Sequence, residues 1–384
     1  MLIKNGKLFT VTQGIMEGSD LRIVDGKIAE IGTGLTPHQG EQVIDGQGHW
    51  VFPGFIDAHC HIGMWEEGIG FEGADGNETT DPITPHLRAI DAINPLDEAF
   101  KSALKGGVTC AASGPGSANV IGGTFAVIKL AGNRVDDMIV KNPLAMKCAF
   151  GENPKRVYGA KKTTPSTRMG TAALLRDTLA KAVEYDKKKR AGEIDPAKAP
   201  NYDMKMEAML PVVRGEMPLK AHAHRTDDIF TSIRIAKEFG LKLTLEHCTE
   251  GHLIADQLAK EGYVAIVGPS FGSKTKFELK EKSFDTPAAL HKAGVKIAIM
   301  TDSPVIPLEY LPMCAALAHK AGLEELEAIK AITINAAEIL ELGDRLGSLE
   351  IGKDGDVVIW EGHPFDLQAK VVTTIVDGVV VYQR

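Results

Sequence analysis

Gly54-Phe55-Ile56-Asp57-Ala58-His59-Cys60-His61 is an apolar run ending in two histidines one residue apart. In an extended strand successive side chains alternate faces, so His59 and His61 share a face and Cys60 turns away. Two like-facing imidazoles at the carboxyl end of a strand form the beginnings of a metal site, because imidazole is the commonest ligand for zinc-like ions. Cys60 is read as a small buried hydrophobe and not as a ligand. Alone, the pair favours the metal reading over the alternative of two partly exposed loop histidines.

The same pattern recurs along the chain. Leu219-Lys220-Ala221-His222-Ala223-His224-Arg225 and Leu243-Thr244-Leu245-Glu246-His247 are apolar strands that end in histidine, and Ile297-Ala298-Ile299-Met300-Thr301-Asp302-Ser303-Pro304 ends in aspartate before a turn. A lone histidine is more often satisfied by a backbone carbonyl, and a lone aspartate here is more often an Asx-turn. Recurrence at successive strand ends reverses that balance, since barrel enzymes gather their reactive residues at the carboxyl ends of their strands. Imidazoles plus a carboxylate make a donor set suited to zinc, iron, manganese or nickel.

Around these motifs, short β-branched runs alternate with helical stretches, which predicts parallel βαβ units. The expected strands are Val51-Ile56, Val108-Ala112, Leu144-Phe150, Leu219-Ala223, Lys242-Glu246, Tyr263-Val267 and Lys296-Ile299. Helices are expected over Thr171-Lys189, Ile229-Phe239, Ile254-Glu261 and Thr286-Ala293, the last stopped by Gly294. Gly114 to Leu144 reads as a long loop with no strand placed in it. The first fifty residues alternate apolar and polar positions, with hairpin signals at Asn5-Gly6, Asp25-Gly26 and Asp45-Gly46. A second β-rich segment, Val371 to Val381, breaks at Asp377-Gly378. The expected architecture is therefore α/β, a (β/α)8 TIM-like barrel over residues 53–343. A small β-sandwich domain would be built from residues 1–52 and 344–384.

Bulk properties narrow the class. The chain has 384 residues, 44% hydrophobic and 24% charged, with no apolar run long enough to span a bilayer. The Met1-Leu2-Ile3-Lys4-Asn5-Gly6 start lacks the features of a secretory signal, so a cytoplasmic protein is expected. A net charge of −8 without a basic face argues against nucleic-acid binding, and Lys187-Lys188-Lys189-Arg190 reads as a solvated helix end. The five cysteines show no CxxC spacing and fit reduced thiols.

In this order, the four motifs resemble the amidohydrolase superfamily, within its imidazolonepropionase-like branch. The resemblance runs over nearly the whole chain, from "VFPGFIDAHCHIG" to "TINAAEILELGDRLGSLEIGKDGDVVIW". It implies a hydrolase with one or two divalent metal ions, zinc being expected. His59 and His61 would hold the more buried ion, His222 and His247 a second ion or the substrate, and Asp302 would join chemistry and metal. His222 is preferred to His224 as the ligand on the match of "KAHAH" to a family motif, leaving His224 as a substrate contact. Members of this superfamily commonly join two metals through a carbamylated lysine or a glutamate on the third or fourth strand. Here Lys147 and Glu152 are available. Glu152 is expected, at the strand end, whereas Lys147 lies roughly 16 Å of strand upstream. With neither, the site is mononuclear.

The resemblance also implies that metal-activated water attacks a C–N bond. Asp302 would act as general base, and His247 or His224 would hold the oxyanion. A deaminase of the superfamily usually carries a glutamate where this chain has Arg225, followed by Asp227 and Asp228. Arg225 suits a substrate carboxylate, or else pairs with its acidic neighbours. The expected substrate is a small molecule of the peptide or N-acyl amino acid type, ahead of a cyclic amide or a deamination substrate. A non-catalytic protein on the same scaffold would be expected to have lost ligands, and these are all present. Specificity would reside in the loops Met64 to Ala92 and Ser270 to Phe284, where Trp65-Glu66-Glu67-Gly68-Ile69-Gly70 is either a lid or a solvated loop. Family habit makes a homo-oligomer the expected assembly.

Overall fold

The computed structural model describes residues 1–67 and 70–384. Gly68 and Ile69, within the acidic loop named above, lie outside the described residues. The chain opens with β1 (Leu2–Phe9), β2 (Ile15–Val24), β3 (Lys27–Gly32), β4 (Val43–Asp45) and β5 (Trp50–Pro53). There follow β6 (Phe55–Cys60), β7 (Val108–Ser113), β8 (Ile121–Lys129), β9 (Ile139–Ala149), β10 (Leu219–Ala223), β11 (Leu243–His247), β12 (Val264–Val267) and β13 (Ile297–Ile299). It closes with β14 (Val357–Glu361), β15 (Lys370–Val376) and β16 (Val379–Gln383).

The two termini share one sheet, ordered β16-β15-β14-β5-β1-β2-β3 with β4 alongside β1. Its inner face collects Ile3, Leu8, Leu21, Ile23, Val51, Val357, Ile359 and Ile375 into a core of its own. Two of the predicted hairpin turns form: Asp25-Gly26 joins β2 to β3 and Asp377-Gly378 joins β15 to β16, with all four residues at positive φ as a type I′ turn requires. Asn5-Gly6 lies inside β1, where Asn5 at φ +58° accompanies a register shift, and Asp45-Gly46 follows a strand that runs parallel to β1. Neither is a hairpin, because the dipeptide specifies a backbone shape that a bulge or a crossover also uses.

The second sheet runs β6 to β13 in sequence order and forms the barrel. Between β13 and β6 the ring is completed by the short link between the last two helices, Glu325–Lys330 and Ile334–Ile339. Ile332 O accepts Ile56 N–H at 2.8 Å, and Ala331 O accepts Ile299 N–H at 3.0 Å. The expected strand Val51-Ile56 is two strands, one in each sheet, divided at Gly54. A Cβ there would lie 2.0 Å from Thr109 Oγ1, so only glycine lets the chain cross so close. The stretch read as a loop holds β8, which runs antiparallel to both β7 and β9. The barrel is thus parallel except for one reversed strand, joined through residues 114–120 on one side and, on the other, through residues 130–138, which include the helical turn Val135–Met138. Helices Arg168–Ile194, Thr226–Phe239, Ala255–Glu261 and Thr286–Lys292 form where the sequence places them. None of the described helices is long and apolar enough to cross a membrane.

Two polar features separate this barrel from an ordinary one. The ring of the terminal sheet is joined to β8 by Lys129, whose Nζ lies 2.7 Å from both carboxylate oxygens of Asp356, 3.0 Å from Asp377 and 3.1 Å from Asp354. Burial alone would lower this lysine, but Asp356 above all, with Cys110 and Asp354, holds it above the usual range. Inside the barrel, where aliphatic layers are the rule, the fully buried residues include Lys147, Lys220, Glu246, Asp57 and His59. Charges at that depth persist only when paired or bound.

Candidate metal centre

Asp57, His59 and His61 alternate inward from β6 and its end. Asp57 accepts the backbone N–H and the hydroxyl of Thr301 at 2.9 and 2.6 Å, tying the end of β13 to β6 and setting Asp302 beside the histidines. Burial pushes the Asp57 carboxyl up to about 7 even so. His61 Nε2 lies 3.1 Å and His59 Nε2 3.6 Å from Asp302 Oδ1, and the donor atoms of these three residues fall within 4.8 Å of one another.

A second cluster, His222, His224 and His247, is equally tight, with ring centroids 4.3 to 4.6 Å apart. His222 and His224 face inward by strand alternation. His247 follows Glu246, which also faces inward, and period two would turn it out. Its backbone at φ +71° re-aims the imidazole into the barrel, as φ +55° does for Asp302. The two clusters meet where His59 and His247 rings stand 5.7 Å apart.

The tautomers test whether these residues suit a cation. His61 Nδ1 lies 2.6 Å from Gly114 O, His247 Nδ1 2.8 Å from Gly268 O, and His59 Nδ1 2.6 Å from Glu246 Oε2. Carbonyl and carboxylate oxygens only accept, so each proton belongs on Nδ1 and each Nε2 presents a lone pair to the centre. His61 Nε2 and Asp302 Oδ1 then face each other as two acceptors, a contact that a proton on His61 or a bound cation satisfies. His224 Nε2 and His247 Nε2 are buried and have no hydrogen-bond partner, the condition expected of ligand atoms. Burial, reinforced by neighbouring positive groups, holds His59, His222 and His224 well below the usual imidazole range. It lowers His247 to about 4, so these rings stay neutral as ligation needs. Burial would raise Asp302, but His247 and His61 outweigh it and keep the carboxylate at about 2.

Lys147 is the residue that enters this centre from β9. Its Nζ is 3.0 Å from His59 Nε2, and burial lowers it to about 8. The expectation that it sits too deep fails because Lys147 pairs in register with Lys220, one inward position below His222, and a four-carbon stem spans that rise. Glu152 is not brought to either cluster. It begins the helix Glu152–Ala160, its Oε2 lies 3.4 Å from Glu278 N, and its own N–H donates to Glu278 Oε2 at 2.9 Å. Arg225 clasps Asp227 at 3.0 and 2.9 Å at the start of Thr226–Phe239 and does not line the cavity.

Sequence reasoning passed over Glu278 and Lys276. Glu278 is fully buried, with Oε1 3.9 Å from His222 Nε2 and 3.7 Å from His224 Nε2. Lys276 Nζ lies 2.8 Å from the same oxygen, though outside hydrogen-bond alignment, and donates to Asn153 Oδ1 at 3.1 Å. Both come from a loop with no periodic pattern, which is why no signal marked them. Above the clusters opens a cavity of about 590 Å³. Trp65, Phe271, Val305 and Ile306 contribute apolar lining, and Arg156, Lys276 and Lys282 contribute positive charge. Asp302 is the one acid in that lining among the described residues. Trp65 stands edge-on to His61 at 5.0 Å and is wedged against Gly76 and Gly116, where any Cβ would strike its ring.

Comparison with known proteins agrees with this picture. The profile of the Amidohydrolase family matches residues 50–381. The amidohydrolase tasK of Hapsidospora irregularis is 30% identical over 88% of this chain, which spans 37% of that relative. An imidazolonepropionase of Pseudomonas putida (strain GB-1) is 28% identical over 87% of this chain and 84% of its own length. Among solved structures, an amidohydrolase from Thermotoga maritima MSB8 superposes over the whole of both chains with a TM-score of 0.97 and 47% identity. A prolidase complexed with N-methylphosphonate-L-proline shares the fold at a TM-score of 0.59 and 17% identity. A matched family profile over most of the chain, and a barrel whose strand ends gather two sets of bare imidazole nitrogens, lead to one conclusion: this chain belongs to the amidohydrolase family, metal-dependent enzymes acting on C–N bonds.

Proposed function

We propose that this enzyme hydrolyses the amide bond of a peptide or N-acyl amino acid, using two divalent ions, zinc above others, held by His59, His61, His222, His247 and Asp302. The observation that carries the reading is the convergence of bare Nε2 atoms and one carboxylate beneath a cavity lined by three cations. Lys147, and not Glu152, is the side chain proposed to join the two positions, as a carbamate, because its Nζ is the one within reach of His59. Such ions supply Lewis acidity toward water and the scissile carbonyl.

The remaining roles follow from side chains. Asp302, ionised at any working pH, takes a proton from the attacking water and returns it to the leaving nitrogen. His224 faces the cavity with an unpartnered Nε2, and in the tautomer whose Nδ1 accepts from Thr249 Oγ1, 2.7 Å away, its Nε2–H donates to the developing oxyanion. Arg156, Lys276 and Lys282 receive a substrate carboxylate, the role that Arg225, spent on Asp227, does not fill. Trp65, Phe271 and Val305 hold the apolar part of the substrate. Residues 53–343 are proposed as the catalytic domain, with 1–52 and 344–384 as its β-domain. The likeness to an imidazolonepropionase supports a second reading, opening of a cyclic amide.

The test is metal analysis of protein purified without chelator, followed by a screen of N-acyl amino acids, dipeptides and cyclic amides. About two ions per chain and turnover of carboxylate-bearing acyclic amides support the proposal. One ion with turnover confined to cyclic amides favours the second reading.

A further inference from the structure

Three imidazoles of the centre have their tautomer set through Nδ1, and they are not set alike. His61 and His247 donate to backbone carbonyls, whereas His59 meets the carboxylate of Glu246 at 2.6 Å. That carboxylate, in register with His222 one residue before the end of β11, has no exposure to solvent. Its Oε2 also receives Lys220 Nζ at 3.1 Å, and its Oε1 takes the hydroxyl of Thr244. Lys220, itself buried, is anchored by donating to Ala58 O at 3.1 Å, one residue from His59 on the chain. Every oxygen of Glu246 is thus held, and the lysine exists at this depth only with that partner.

We infer that Glu246, held by Lys220, is a positioning residue for the ion at His59: it fixes the proton on Nδ1, aims Nε2 at the centre and strengthens it as a ligand. The effect is selective, because the His222–His247 side has no charged partner on an imidazole Nδ1. The inference rests on the reading of His59 as a metal ligand.

Two variants separate positioning from support of the fold. Lys220→Met with Glu246→Gln removes both buried charges at nearly constant volume. Glu246→Asp keeps the charge opposite Lys220 but withdraws the carboxylate from His59 by one methylene. Zinc affinities are read by competition with a chromophoric chelator, cobalt(II) substitution by its visible absorption, and folding by thermal melting. The expected result is that one of two zinc ions binds roughly 10- to 100-fold more weakly, with an altered cobalt spectrum, while the other ion keeps its affinity. Melting of Glu246→Asp should stay near wild type. Wild-type affinities for both ions in the double variant, or in Glu246→Asp if the double variant does not fold, overturn the inference while leaving the metal reading intact. Wild-type protein that takes up neither zinc nor cobalt overturns both.

Discussion

The two histidine clusters occupy one cavity floor but are built by different physics. The His59 side is dense in charge: Asp302, Glu246, Lys220 and Lys147 all lie within about one hydrogen bond of an imidazole or of each other. The His222 side is nearly all imidazole, and its nearest acid, Glu278, stays 3.7 Å or more away and is shared with Lys276. A cation on the first side finds an anionic ligand already in place, whereas on the second it finds neutral nitrogens and a competing ammonium. The first position should therefore fill first and release its ion last.

Breaking the charged side should give the largest effect. Asp302→Asn is expected to lower kcat by about 10³-fold, the scale of a lost general base, with the His222 cluster retaining its ion by elemental analysis. Near-wild-type turnover would remove Asp302 from the mechanism. Next, Lys147→Met should weaken one ion by about 100-fold or more, on the pattern of lost orienting groups, whereas Glu152→Gln leaves both ions bound. The reverse outcome would restore Glu152 as the shared ligand.

A pH experiment sharpens the comparison on metal-free protein. His247 is neutral when folded down to about 4 but protonates near 6.5 when unfolded, so between these values the unfolded state binds the extra proton. Stability should fall as pH is lowered through that window, seen as a drop in melting temperature, and zinc should abolish most of the slope. A flat profile would mean that these imidazoles titrate in the fold as they do in the unfolded chain. At the cavity wall, Lys276→Met should raise KM for carboxylate-bearing substrates about 10-fold, as expected for one charged hydrogen bond. Arg225→Ala, which breaks only a partly exposed pair, should change KM by less than about threefold.

The ligand-bearing strands were legible because period-two alternation in apolar runs is local, and His59, His61, His222 and His224 obey it. His247 and Asp302 were found by position alone, since their inward aim depends on left-handed backbone that no pattern encodes. The reversed β8 was missed because Gly122-Gly123 and Gly114-Pro115-Gly116 read as loop, while Gly123 is a strand residue kept bare by Leu87 O. Lys147 was set aside by counting residues along a strand without counting the length of its own side chain. Lys220, Glu246 and Glu278 carry no signal as single residues, because a buried charge is recognisable only once its partner is in place.

The shared sheet of the two termini has a consequence for synthesis. Trp50 of β5 pairs with Trp360 of β14, so roughly 300 residues must be translated before that edge finds its partner. At ribosomal speeds this is roughly 15 to 60 seconds. Through that interval Val51 and Phe52, both fully buried at the end, belong to an open strand edge, the kind of surface that recruits other nascent chains. The newborn protein is thus most exposed to misassembly at its first fifty residues, and a chaperone that shelters the amino terminus should raise its yield more than one that acts on the finished barrel.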